Sequence, residues 1–141
     1  MRIQIKNHFN FDLEYINKKF SGGLTFINSF CVGEEYLPVS LYKAAKPDKS
    51  KGHKKYMLLQ ITQGGQGLVR GRSSKEMETE RYRKGIHCLN CNEVIFSSYR
   101  HDYSTCSCGG CDVDGGKDYF KYGGEDFNIV TVDLLKGKIK L

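Results

Sequence analysis

The sequence predicts an α+β fold: a small antiparallel sheet with two short helices, followed by a C-terminal zinc-ribbon-like module. Three patterns predict it. Short runs of β-branched and aromatic residues alternate with glycine-rich turns along much of the chain. Two segments, 10–20 and 74–84, carry helix caps at one end and glycine at the other. Five of the six cysteines fall between Cys88 and Cys111, a spacing suited to one tetrahedral ion.

In order, Ile3 and Ile5 alternate with Arg2, Gln4 and Lys6 and predict a short strand. Leu13, Ile16 and Phe20 recur at helical spacing, with Asn10 or Asp12 as N-cap and Gly22-Gly23 as the stop. The run from Leu24 to Val32 predicts a buried strand, in which Cys31 is a small core hydrophobe. Leu37 to Leu41 is expected to continue as an edge strand, since Pro38 limits pairing. Lys43 to Lys55 predicts a loop, broken by Pro47-Asp48 and Gly52. Tyr56–Thr62 and Leu68–Arg72 predict a hairpin across Gly64, Gly65 and Gly67. These glycines lack the Lys-Ser/Thr pair and following helix of a phosphate loop. Ser73 to Glu76 fits a capping box, opening a charged helix expected to run from Ser74 to Lys84 and stop at Gly85. Strands are expected again at Glu93–Ser98 and Asn128–Val132, with a last edge strand towards Ile139. Two parts sharing one core are expected, a basic α+β part over 1–86 and a four-cysteine zinc-knuckle part over 87–141.

At 141 residues the chain is long enough for one self-supporting core. Apolar content of 39% and a mean hydropathy of −0.50, with no run of about 18 apolar residues, predict no transmembrane helix and no membrane partner. The first residues show no signal-peptide pattern, so a reducing cytoplasm is the expected location. There, paired cysteines favour metal over disulfide. The net charge of +6 is unevenly placed. Residues 1–86 hold 16 Lys and Arg against 8 Asp and Glu, whereas 87–141 hold 6 against 8. The asymmetry suggests an anionic partner, nucleic acid or an acidic protein surface. The candidate contacts are Lys43, Lys46, Lys49, Lys51, Lys54, Lys55, Arg70 and Arg72. With no aromatics between the lysines, they suit phosphates rather than stacked bases.

The cysteines supply a Cys-x2-Cys arm, Cys88 and Cys91, and a Cys-x-Cys arm, Cys106 and Cys108. Four thiolates saturate Zn²⁺ and leave no open position for water, which predicts a structural site. Cys108-x2-Cys111 is also an arm, so a set with Cys111 in place of Cys106 stays open. His87 adjoins Cys88, but on an extended chain it points away from the ion. His101 and Asp102 have the chemistry of a general base and its partner. Adjacent residues on a strand face opposite ways, however, which favours a structural role for them, and Arg100 shares a face with Asp102. Asp112, Asp114 and Asp118 read as turn residues or as ligands for a hard cation.

Residues 87–124 resemble a small Cys-knuckle domain found in phage and prophage proteins. The resemblance is carried by Cys88-x2-Cys91, Val94-Ile95, Ser97, Arg100-His101-Asp102, Cys106-x-Cys108-Gly109, Val113 to Gly116 and Asp118-Tyr119. It implies a phage origin and the Cys106–Cys108 arm, and it implies no activity. The resulting expectation is a phage-type, zinc-stabilised, non-catalytic binder that inhibits or redirects a host protein, acting against host defence in the host cytoplasm. The first alternative is a nucleic-acid-binding module using the basic 43–84 region. The second is a metal-dependent hydrolase or nuclease using His101, Asp102 and His87.

Overall fold

A computed structural model describes residues 1–8, 13–33, 37–62 and 64–140. In chain order the first part holds β1 (Arg2–Ile3), α1 (Leu13–Lys19), β2 (Leu24–Phe30), β3 (Val39–Ala44), a 3-10 turn (Lys49–Lys51), β4 (Tyr56–Ile61), β5 (Gly67–Arg72) and α2 (Ser74–Met77). The second holds β6 (Tyr82–Cys88), β7 (Glu93–Phe96), β8 (Ser104–Thr105), β9 (Cys111–Asp114), β10 (Lys121–Gly124), β11 (Phe127–Asp133) and β12 (Lys138–Ile139). Strands make up 44% of the chain and helices 9%, so the fold is mostly β and the expected α+β class is wrong.

The helix expected over 74–84 accounts for much of the error. Its capping box forms as the sequence predicts: the Ser73 side chain accepts from the Glu76 N–H, and Glu76 reaches back to the Ser73 N–H. The helix nevertheless ends after one turn. A cap contributes about 1 kcal/mol, and only Met77 of this segment is buried among apolar neighbours. No apolar stripe continues beyond it. Residues 82–88 instead enter a sheet, with Arg83, Gly85, Ile86 and Cys88 buried. Gly85 makes this possible: a Cβ there would lie 2.6 Å from the Ile95 carbonyl oxygen. The α1 segment is also short, and its expected N-caps Asn10 and Asp12 lie outside the described residues.

Three sheets result. The four-stranded sheet runs β2-β3-β4-β5, all antiparallel. Its strand β3 lies between two partners, so the predicted edge position is corrected; Pro38 precedes the strand and removes no ladder bond. The five-stranded sheet runs β1-β7-β6-β11-β12, with β1 parallel to β7. The three-stranded sheet runs β10-β9-β8. One core cluster joins the first two sheets through Phe30, Leu41, Leu58, Met77, Phe96 and Val132. A second, around Ile86, Ile95 and Val113, contains Cys88, Cys106 and Cys111.

A four-cysteine candidate metal centre

The two cysteine arms are turns at neighbouring sheet ends. Cys88 closes β6, and the chain reverses through Leu89 to Asn92 before β7 begins at Glu93. Asn92 adopts φ 58°, a conformation Asn tolerates better than most residues. The second arm links β8 to β9. There Cys106 N–H donates to Cys111 O at 3.1 Å and Gly109 N–H to Cys106 O at 2.9 Å. Gly109, at φ 74°, allows the tight reversal that brings Cys106 and Cys108 together.

The Sγ atoms of Cys88, Cys91, Cys106 and Cys108 all lie within 4.8 Å of one another. Cys106 and Cys108 are 3.4 Å apart, and Cys88 and Cys108 3.6 Å. A tetrahedron with metal–sulfur bonds of about 2.3 Å has edges of about 3.8 Å. The group could therefore hold a metal ion. It is the predicted set; Cys111 lies buried beside Cys88 but outside the group of four.

The thiols are electrostatically crowded. Burial pushes Cys106 up to about 11 and also raises Cys111. The Cys91 N–H draws Cys88 down, but burial and the Cys111 and Cys108 thiols leave it raised. The exposed Cys108 is pulled down to about 6 by the Asn90 side chain and the Gly110 N–H. Four thiolates cannot ionise together in an apolar cluster without a cation, and a bound metal supplies that charge.

Glu93, which sequence reasoning did not single out, braces this centre. Its buried carboxylate accepts from Ser107 Oγ at 2.7 Å, Ser107 N–H at 2.9 Å and Gln4 Nε2 at 2.9 Å, and pairs with Arg2. Ser107 stands between two cysteines of the group, so the N-terminal strand and the Cys106–Cys108 turn share one anchor. Two other charges are buried, Asp102 with a partner the sequence did not suggest and Arg83 where a surface helix was expected. Asp102 pairs with Lys6 at 2.6 Å and accepts from the Ser98 N–H at 2.7 Å. The Arg83 guanidinium donates to the carbonyls of Cys31, Ser97 and Ser98. The position of Glu93 just after the knuckle was the one available signal; Arg83 and Lys6 look like ordinary surface charges.

The candidate hydrolytic residues do not converge. His101 is exposed at φ 67°, with Nδ1 3.1 Å from the Tyr119 hydroxyl, whereas Asp102 turns inward to Lys6. Arg100 lies 4.0 Å from Asp118 rather than beside Asp102. His87 Nε2 donates to Asn92 Oδ1 at 2.6 Å. Asp114 accepts from the Tyr119 hydroxyl at 3.3 Å. Among the described residues, no second group of three His, Cys, Asp or Glu side chains lies close enough to share an ion. Cys31 is buried in the first part, as predicted for a core thiol.

The basic residues gather elsewhere, at one end of the four-stranded sheet. Lys43, Lys46, Lys49, Lys51, Lys54 and Lys55 are all exposed. Lys54 pairs with Glu76 at 2.8 Å. Arg70 donates to Gln60 and Arg72 to the Gly71 carbonyl, and both are half-buried. No described helix is long and apolar enough to cross a membrane.

The fold and site together define a β protein built around a four-cysteine group that could hold a metal. A family model described as a domain of unknown function (DUF7695) matches residues 82–124. That match runs from the start of β6 to the end of β10 and encloses both cysteine arms. No curated protein and no solved structure matches the chain.

Proposed function

We propose that the protein is a non-catalytic, zinc-stabilised binding protein whose partner is a nucleic acid. Zinc is favoured because four sulfur donors at near-tetrahedral spacing suit it and leave no position open for substrate. The observation that carries the partner class is the lysine-bearing end of the four-stranded sheet. Between Lys43 and Met77 the chain has nine Lys and Arg and two carboxylates, Asp48 and Glu76. Lysine is depleted from the cores of protein–protein interfaces, whereas phosphate backbones are met by such charges. A protein partner, such as the host protein expected from the sequence, is a second reading. It is supported by the exposed Tyr103, Tyr119 and Tyr122, a residue type enriched in binding hot spots.

The test has two parts. Elemental analysis of protein purified without added metal is expected to give one zinc per chain. Retention of labelled DNA and RNA is expected to fall steeply between about 50 and 200 mM salt. No retention at the low-salt end would remove the nucleic-acid reading and leave the protein-partner reading, for which a Tyr103→Ala, Tyr122→Ala variant is the comparison.

A further inference from the structure

The lysine loop does more than display charge. The 3-10 turn, the residues flanking it and the start of α2 enclose a cleft of about 560 Å³. Its lining includes Pro47, Lys49, His53, Lys55, Ser73 and Ser74, and no carboxylate. We propose that this cleft is a binding site for a nucleotide unit, its lysines and serine hydroxyls holding the phosphate ester. The proposal rests on the nucleic-acid reading above and sharpens it from a charged face to a defined site.

The loop is fixed before any ligand arrives. Asp48 Oδ1 accepts from the Ser50 N–H at 3.0 Å and from Ser50 Oγ at 2.6 Å. The Gly52 N–H donates to Lys49 O at 3.2 Å, and the His53 N–H to Asp48 O at 3.1 Å. The His53 ring stacks on Phe20 with centroids 4.3 Å apart. Its Nδ1 accepts from the Asp48 N–H at 3.3 Å, so in the neutral ring Nε2 carries the proton and is a donor. The lysine backbones are thus held in place, and little loop entropy is lost on binding.

The cleft wall itself is mostly apolar, and two of its three lysines, Lys49 and Lys55, are exposed and carry no carboxylate partner among the described residues. Glu76, the acid next to it, is taken up by Lys54 and by the Ser73 N–H at 3.0 Å. Among the described residues, no carboxylate lies within ion-pair distance of Lys49 or Lys55. The Lys55 ammonium stands over the Tyr56 ring, 5.6 Å from its centroid. The cleft falls in the roughly 300–1,000 Å³ range of small-molecule sites, so it has room for a sugar and base as well as a phosphate. Pro47 and the lysine stems give that remainder an apolar wall.

The experiment titrates zinc-loaded, full-length protein with adenosine 5′-monophosphate, and separately with adenosine, at constant ionic strength in chloride. Backbone amide shifts are followed by NMR, and oligonucleotide retention is measured on the same samples. Saturable shifts confined to residues 47–55 and 73–74 are expected with the nucleotide and not with adenosine. The double variant Lys49→Glu, Lys55→Glu should weaken nucleotide binding about tenfold or more. It should also reduce the log–log salt slope for oligonucleotide binding by about two, with unfolding temperature and zinc content unchanged. Shifts that do not saturate, equal shifts with adenosine, or an unaffected double variant would overturn the site. If oligonucleotides were still retained in that case, the broader nucleic-acid reading would survive the loss of the cleft. If the nucleotide bound but oligonucleotides were not retained, the cleft would stand as a free-nucleotide site and the broader reading would fall.

Discussion

Replacing Glu93 with Gln should loosen the metal centre without touching a cysteine. The side chain keeps its shape, but one carboxylate oxygen becomes an amino group facing donors. The Arg2 contact counts for little, because that side chain is 75% exposed and such pairs contribute about 0–1 kcal/mol. The loss comes from the two Ser107 bonds and the Gln4 bond, made to a carboxylate that is 3% exposed. A hydrogen bond to a charged group is worth about 1.5–3 kcal/mol, and a donor left facing a donor adds to the loss. A net cost of about 2–3 kcal/mol follows for Glu93→Gln. With an unfolding entropy of about 2.1 cal/mol/K per residue, that cost lowers Tm by about 7–10 °C for this chain.

Two assays read the effect. Thermal unfolding of the zinc-loaded variant, followed by circular dichroism at pH 7, should show the drop in Tm. Zinc transfer to a colorimetric chelator should also speed up, because Ser107 lies between two cysteines of the group and loses its anchor. A Tm within about 2 °C of the parent, with an unchanged transfer rate, would refute the idea that Glu93 braces the centre.

Other outcomes follow from the same contacts. Asp133 pairs with Arg81 through both oxygens, at 2.7 and 3.1 Å, and burial raises its carboxyl less than Arg81 and two backbone N–H groups lower it. Its folded pKa lies below the unfolded one, so its stabilisation is complete above the unfolded value of about 3.9 and is lost as pH falls through the folded value. Urea unfolding should therefore show Asp133→Asn weaker by about 3 kcal/mol at pH 7, with the gap to the parent unchanged down to about pH 5 and closing in stronger acid; a gap that widened in acid would contradict the sign. Gly85→Ala places a methyl 2.6 Å from Ile95 O and 3.0 Å from Val132 Cγ2, and should cost about 1–3 kcal/mol or prevent folding; parent-like stability by denaturant titration would contradict that packing. Cys91→Ser should lose zinc while Cys111→Ser keeps one ion per chain by elemental analysis, and loss of metal from Cys111→Ser would place Cys111 among the ligands. Chelation should expose the 88–111 amides and those of β1 to hydrogen exchange before those of the four-stranded sheet, since only the former are tied to the cysteine turns; uniform exchange would argue against that order.

The features legible in the sequence are those fixed by local chemistry. Thiols at Cys-x2-Cys and Cys-x-Cys spacing suit one tetrahedral ion, and the structure brings the expected four together. The hairpin of β4 and β5 follows from alternation and glycine, and the capping box at Ser73 from a four-residue pattern. What was not legible depends on distant partners. Residues 82–84 read as the end of a charged surface helix, yet β7 and β11 flank the strand they open and make it the middle of a sheet. Arg83 becomes an interior charge for the same reason, and Asp102 because Lys6 and the Ser98 N–H meet it from elsewhere in the chain. His101 and Asp102 look like a strand pair until the turn at Tyr99–Asp102 forms and His101 takes a left-handed backbone.

On the proposed reading, a division of labour along the chain separates the candidate metal centre from the candidate binding face. The cysteine turns join the end of the five-stranded sheet to the three-stranded sheet, where short strands of two to four residues bury little by themselves. A metal held by the four cysteines there would replace core that the segment lacks. The four-stranded sheet has longer strands and its own cluster of Phe20, Tyr42, Met57 and Leu59, and it needs no clip to hold the lysine loop. Anionic partners would also be repelled by a four-thiolate site, which carries net negative charge even with Zn²⁺ bound. Placing the two features on different sheets, joined through the Phe30, Leu58 and Phe96 cluster, would let a metal bound by the cysteines stabilise the fold while the lysine-bearing end meets phosphate, as proposed.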